Sequence, residues 1–262
     1  MRTEAARSQL IPVPRYAASV AMRNARVFSK LWKGSLAPQF IDPLFYLVAM
    51  GYGLGTYVAS INGVPYRDFI APGLIASATM WSASFECTYN VYIRMREYHL
   101  YDAVLSTPVE AQDVVAGDLA WSSVRAAIYG TVFLTVVTAF GLIDSWWALA
   151  IPLAVLVGGL AFSTMAYTFT ALIPRIDLYS YYFTLGITPM FLFSGIFFPF
   201  DELPRVVEVF AWLTPLYHLV EVTRGLATGP GPIVLLHIGV LLAISAALFV
   251  IPVRAVRRRL VA

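Results

Sequence analysis

Six runs of about twenty mostly apolar residues, at 43–61, 69–90, 121–143, 146–173, 179–200 and 232–253, constrain this chain more than any motif does. A helix needs ~20 residues to cross ~30 Å of hydrocarbon, and a backbone in lipid has to satisfy its own hydrogen bonds. The runs therefore predict an all-α integral membrane protein with six transmembrane helices. Composition agrees: 59% of the 262 residues are hydrophobic and 13% charged, where soluble domains carry about a quarter charged. The lone Cys87 rules out a disulfide within the chain. No compact signal peptide is visible in the first forty residues, which hold seven basic residues.

The basic residues orient the runs. With a cytoplasmic N-terminus, the inner segments carry fifteen of the 18 Lys and Arg, and only Arg67, Arg205 and Arg224 lie outside. That is a strong positive-inside asymmetry, and it puts both termini in the cytoplasm, with the cell membrane as the expected location. The organisation expected is a cytoplasmic segment at 1–39 followed by one transmembrane domain at 40–262. Glu86 lies near the end of the second run and Arg125 near the start of the third, where long side chains reach an interface.

The segment FSGIFFPFDELPRVVEVFAWLTPLYHLVEVTRG at 193–225 breaks the pattern. A seventh crossing there would put Arg254 and the arginines at 257–259 outside. It would also bury Arg205, Glu208, His218, Glu221 and Arg224 at ~2.5–3.5 kcal/mol per ion near mid-bilayer. The segment is therefore expected to start and finish outside, as re-entrant or interfacial half-helices at about 203–213 and 216–228. Pro204 and Pro215 would mark starts or breaks. His218, Glu221 and Arg224, spaced by three, share a face, while Leu216, Leu219 and Val220 face lipid or protein.

On the inner side, residues 15–36 pattern as an amphipathic helix. Arg23, Arg26, Lys30 and Lys33 fall on one side, with Tyr16, Val20, Val27 and Leu31 beside them, so the helix can lie in the interface as a lipid anchor or a partner contact. The loop RMREYHLYDAVLSTPVEAQDVVAGD at 94–118 is long for so tight a chain and mixes charge signs. It reads either as a solvated connector or as a functional segment, with VEAQDVV a short helix of its own. No phosphate loop, H-E-x-x-H, G-x-S-x-G or paired cysteine set occurs, so catalytic and metal sites are not expected.

The landmarks SG-x-FFP at 194–199, LP at 203–204, PL-x-H at 215–218 and Arg224, with the 94–118 loop, resemble type-2 ABC exporter permeases. They are most similar to the nodulation-factor group, whose members export lipo-oligosaccharide. The resemblance implies a homodimeric, non-enzymatic transport subunit that binds no cofactor itself. A separate ATPase subunit would hold ATP and Mg, membrane lipid is a further partner, and no nucleic-acid partner is expected. It further implies that the 94–118 loop docks into that ATPase, with Glu97, Asp102, Glu110 and Asp113 as contacts. The outer half-helices would form a gate marked by Gly195, Pro199, Pro204, Pro215, His218, Glu221 and Arg224. The rival from another class is an ion-coupled transporter acting alone, which usually shows internal repeats; none is evident here.

Three groups carry two readings each. The aromatic clusters at Tyr179, Tyr181 and Tyr182 and at Phe191, Phe193, Phe197 and Phe198 read as interfacial belt and packing, or as rings stacking on cargo. Glu86 and His237 read as separate structural groups or as a proton relay. His218 and Glu221 read as an external hydrogen-bond network or as acid–base chemistry without a nucleophile.

Overall fold

The computed structural model describes residues 11–58, 60–143, 145–200 and 204–260, and the side chains of all of these except 33, 35–40, 42, 259 and 260. Expectations resting on Arg2, Arg7 and Leu203, or on the side chains of Lys33 and Arg259, lie outside the described residues. Helix α1 (Pro14–Tyr46) starts on a proline and passes without a break into a wide π turn at Leu47–Gly53 and a 3-10 turn at Leu54–Thr56. The amphipathic helix expected at 15–36 and the first run at 43–61 are thus one helical rod, which runs on through Gly34, Pro38 and Pro43. The end of that run belongs instead to a small hairpin. Strand β1 (Ser60–Ile61) pairs antiparallel with β2 (Val64–Pro65) around Asn62 and Gly63, both with positive φ, as a tight primed turn requires.

Helix α2 (Tyr66–Phe85) continues through wide turns at Glu86–Asn90 and Ile93–Glu97. His99, at φ 47°, reverses the chain into the short α3 (Leu100–Leu105). Helix α4 (Ala111–Ala139) then absorbs VEAQDVV, which is no separate helix: the capping pair Glu110 and Asp113 starts α4 ten residues ahead of Trp121. A 3-10 turn at Trp146–Ala150 leads into α5 (Ile151–Leu172). After it come α6 (Tyr179–Tyr181), a wide turn at Tyr182–Ile187, and α7 (Thr188–Phe193). Helices α8 (Arg205–Trp212) and α9 (Pro215–Thr228) are bent by 84° from one another, and α10 (Ile233–Leu260) closes the chain.

Among the described residues three helical stretches are long and apolar enough to cross a membrane, 111–139, 146–172 and 233–258, and the bent α8–α9 pair passes only when taken together. The other three expected crossings are helical but interrupted by wide turns. Helix α2 also sits inside the bundle, against α4, α5 and α9, with Ile70, Leu74, Ile75 and Met80 fully buried. A helix surrounded by protein has no need of a uniformly apolar surface, so its serines, threonines and alanines lower its hydropathy without cost. Helix α10 is peripheral, with 22% of its apolar window buried against 50% for α4 and α5. Helix α1 lies on α4 where Gly117 permits close approach: a Cβ there would stand 2.5 Å from the Ala17 carbonyl oxygen.

Candidate coupling site

Five elements converge on a closed cluster of charge. Glu86, 2% exposed, accepts from Arg94 Nη1 at 2.8 Å through Oε1, and from Asn90 Nδ2 at 2.6 Å and Arg125 Nη1 through Oε2. Asp118, fully buried on α4, accepts from Asn24 Nδ2 of α1 at 2.7 Å and from Arg94 Nη2 at 3.4 Å through Oδ1. Its Oδ2 accepts from the Tyr101 hydroxyl of α3 and, at 3.4 Å, from that of Tyr167 of α5. Two carboxylates face two guanidinium groups, so the cluster balances its own charge. Ions so placed are costly to desolvate and persist only when paired. The Nε atoms of Arg94 and Arg125 have no hydrogen-bond partner among the described residues, so the cluster is balanced in charge but not saturated in hydrogen bonds. Arg125 also lies 5.5 Å from the ring centroids of both Phe28 and Tyr129.

The acidic loop residues divide in two. Glu97 and Asp102 are exposed, Asp102 facing His99 at 3.1 Å. Glu110 caps α4, and Asp113, 1% exposed, accepts from the Glu110 backbone N–H at 3.0 Å and from that of Val13 at 2.6 Å. Those bonds occupy Asp113 and leave Glu97 and Asp102 as the open carboxylates. Within α3, Asp102 points outward while Tyr101, its neighbour, is fully buried with its hydroxyl in the charge cluster. On α1, Arg26 and Lys30 are exposed beside Val27 and Leu31, Arg23 reaches Asn24, and Val20 and Asn24 are buried against α4.

At the other end, Gly195 turns the chain at φ 77° and its carbonyl accepts from Arg224 Nη2 at 2.7 Å. Arg224 also pairs with Glu221 at 2.9 Å and lies 4.3 Å from the centroid of the Phe69 ring. Pro204 caps α8 and Pro215 opens α9, while Pro199 lines a hollow of about 330 Å³ beside the hairpin. Leu216, Leu219 and Val220 are fully buried and so face protein. His218 Nε2 donates to the Trp212 carbonyl at 2.8 Å, which leaves its Nδ1 to accept from His237 Nδ1 at 2.8 Å. His237 therefore bonds a neighbouring helix, and Glu86 belongs to the arginines; the pair forms no relay.

Arg94, Asp118, Tyr101, Tyr167 and Asn24 escape a sequence reading. The available signal was the pair of opposite charges, Glu86 and Arg125, in neighbouring apolar runs, each of which needs a partner in so apolar a setting. Among the aromatics, Tyr179 and Tyr182 pack on Phe169, and Phe191 packs edge-on against Phe197 at 5.1 Å, so these four serve the core. Tyr181, Phe193 and Phe198 remain exposed.

Comparison with known proteins bears on what this arrangement serves. The family model described as ABC-2 type transporter matches residues 18–227. The chain is 36% identical to Nodulation protein J of Rhizobium leguminosarum bv. viciae, across 92% of this chain and 94% of that protein. Identity is also 36% to Nodulation protein J of Rhizobium meliloti (strain 1021), across 92% and 93%. The inner membrane transport permease YadH of Escherichia coli (strain K12) is 24% identical across 78% and 79%.

Proposed function

Because the chain belongs to the ABC-2 type transporter family, we propose that it is the membrane-spanning subunit of an ATP-driven exporter. Two copies work with a separate ATPase that holds the ATP and Mg. The cargo class, by likeness to the nodulation proteins, is a lipo-oligosaccharide, glycolipid or amphipathic drug leaving the cytoplasm or inner leaflet. In this reading the chain crosses six times with both ends inside. The basic side of α1 lies at the inner interface, and α8 and α9 form the outer gate.

The observation that carries the coupling is Tyr101. Helix α3 offers Asp102 to solvent, with Glu97 exposed in the turn before it, and one residue from Asp102 the helix inserts the Tyr101 hydroxyl onto Asp118. A partner that grips the outer face of α3 therefore pulls on a carboxylate that also holds α1 and α5. Arg94 touches both Glu86 and Asp118, so it can move its weight from one to the other when Tyr101 shifts. A buried ion network with spare donors is poor as a stabiliser and well suited to two arrangements of similar energy.

The test co-purifies the chain with its ATPase and follows ATP hydrolysis in lipid. Reversing charge at Glu97 and Asp102 is expected to weaken the complex while insertion stays normal. Tyr101→Phe is expected to leave the complex intact and lower cargo-stimulated hydrolysis. Full cargo stimulation in Tyr101→Phe would remove the coupling role, and failure of the wild-type chain to capture an ATPase would remove the exporter reading.

A further inference from the structure

A groove of about 750 Å³ runs between α4, α5 and α10, the three helices that meet the requirements for a membrane crossing. Ala120 on α4 and Ala246 on α10 set its walls back, while Val124, Leu160 and Phe249 supply the apolar lining. Three hydroxyls reach its surface, and each is already spent on its own helix. Ser123 donates to the Leu119 carbonyl at 2.7 Å, Thr164 to Leu160 at 2.7 Å and Ser245 to Leu241 at 2.8 Å. The groove therefore offers a ligand hydrocarbon and no free hydroxyl donor. A sugar would leave most of its hydroxyls unpaired there, at a cost for each of them; an aliphatic chain loses nothing.

The ends of the groove differ. On α10 the lining stops at Phe249, five residues or ~7.5 Å before Arg254. Arg254 and Arg258 are exposed. Pro12 lines the groove as well, and Arg15, just beyond it, is exposed. Hydrocarbon along the helices and cations at one end is the pattern of an anionic amphiphile.

We propose that this groove seats an acyl chain of an anionic bilayer phospholipid, with its phosphate drawn to Arg254, Arg258 and Arg15. The occupant is a bilayer lipid rather than cargo because the groove opens beside α10, the least buried of the three crossing helices, and so faces the surrounding membrane. The site is independent of the ATPase and of the cargo; from the reading above it takes only that α10 ends in the inner leaflet.

The test uses the full chain reconstituted in nanodiscs of phosphatidylglycerol mixed with phosphatidylcholine, released into mild detergent and measured by native mass spectrometry. The wild-type chain is expected to retain a phosphatidylglycerol adduct. Ala120→Phe with Ala246→Phe, both at exposed positions and so compatible with folding, is expected to lose it. Continued protection of the buried Cys87 from thiol reagents would show that the variant is folded. Arg254→Gln with Arg258→Gln is expected to reduce the preference for phosphatidylglycerol by about fivefold per arginine. Equal retention by the filled variant, an unchanged preference in the arginine variant, or cargo-derived lipid in place of phospholipid would each overturn the assignment.

Discussion

Replacing Glu86 with glutamine tests the charge cluster at its centre. The amide keeps the shape and removes the charge. Arg94 retains Asp118 at 3.4 Å, whereas Arg125, with a side chain 7% exposed, loses the one carboxylate it pairs with among the described residues. Leaving one member of a buried pair uncompensated costs about 3–5 kcal/mol. At ~2–4 °C per kcal/mol for a chain of this size, the expected fall in Tm is about 6–20 °C. The chain carries its own reporter in Cys87, the single cysteine, fully buried and next to Glu86. A thiol-reactive fluorogenic dye followed during heating in detergent reads its exposure directly. The decisive comparison is the double variant Glu86→Gln with Arg125→Met, which removes both charges. It should recover part of the loss, with a coupling energy of about 0.5–3 kcal/mol. If the double variant falls by the sum of the two single losses, Glu86 and Arg125 are not coupled and the cluster is not the unit described here.

Two further outcomes follow from other parts of the fold. His218 lies outside the crossings in the topology proposed, and burial holds its imidazole below the ordinary histidine value, with Trp212, Tyr217 and His237 around it and Glu221 near His237. The folded state then binds fewer protons than the unfolded one, so stability is complete above ~6.5 and declines as pH falls below it; His218→Phe should flatten that part of a Tm-against-pH curve. Gly117→Val should force α1 off α4, because even a Cβ meets the Ala17 carbonyl oxygen at 2.5 Å and the Val20 Cβ at 2.6 Å; a loss of about 1–3 kcal/mol is expected, read as faster proteolysis at the start of α1.

The parts legible in the sequence were those governed by one-dimensional rules. Helices α4, α5 and α10 follow from apolar length, and the paired prolines at 204 and 215 mark the short helices α8 and α9 within a residue or two. The continuity of α1 was not legible, because Gly34, Pro38 and Pro43 between the amphipathic and the apolar stretch read as a break between two elements. The wide turns in α2 and between α6 and α7 leave no residue signature. The charge cluster was hidden for a different reason: Arg94 and Asp118 belong to a stretch that reads as a polar loop, and only folding brings them beside Glu86 and Arg125. The surroundings of Asp113 were hidden in the same way, since its place in the loop gives no sign of the Glu110 and Val13 backbone N–H groups that it accepts from.

The bond from the Val13 backbone N–H to Asp113 joins residues 100 positions apart. A ribosome adding ~5–20 residues per second delivers the second partner about 5–20 s after the first. For that interval the opening helix has emerged with neither its anchor at Asp113 nor the groove at Gly117 to receive it. Biogenesis of this protein therefore includes a stage in which its first helix waits at the membrane, held by lipid or by insertion machinery, until the middle of the chain arrives.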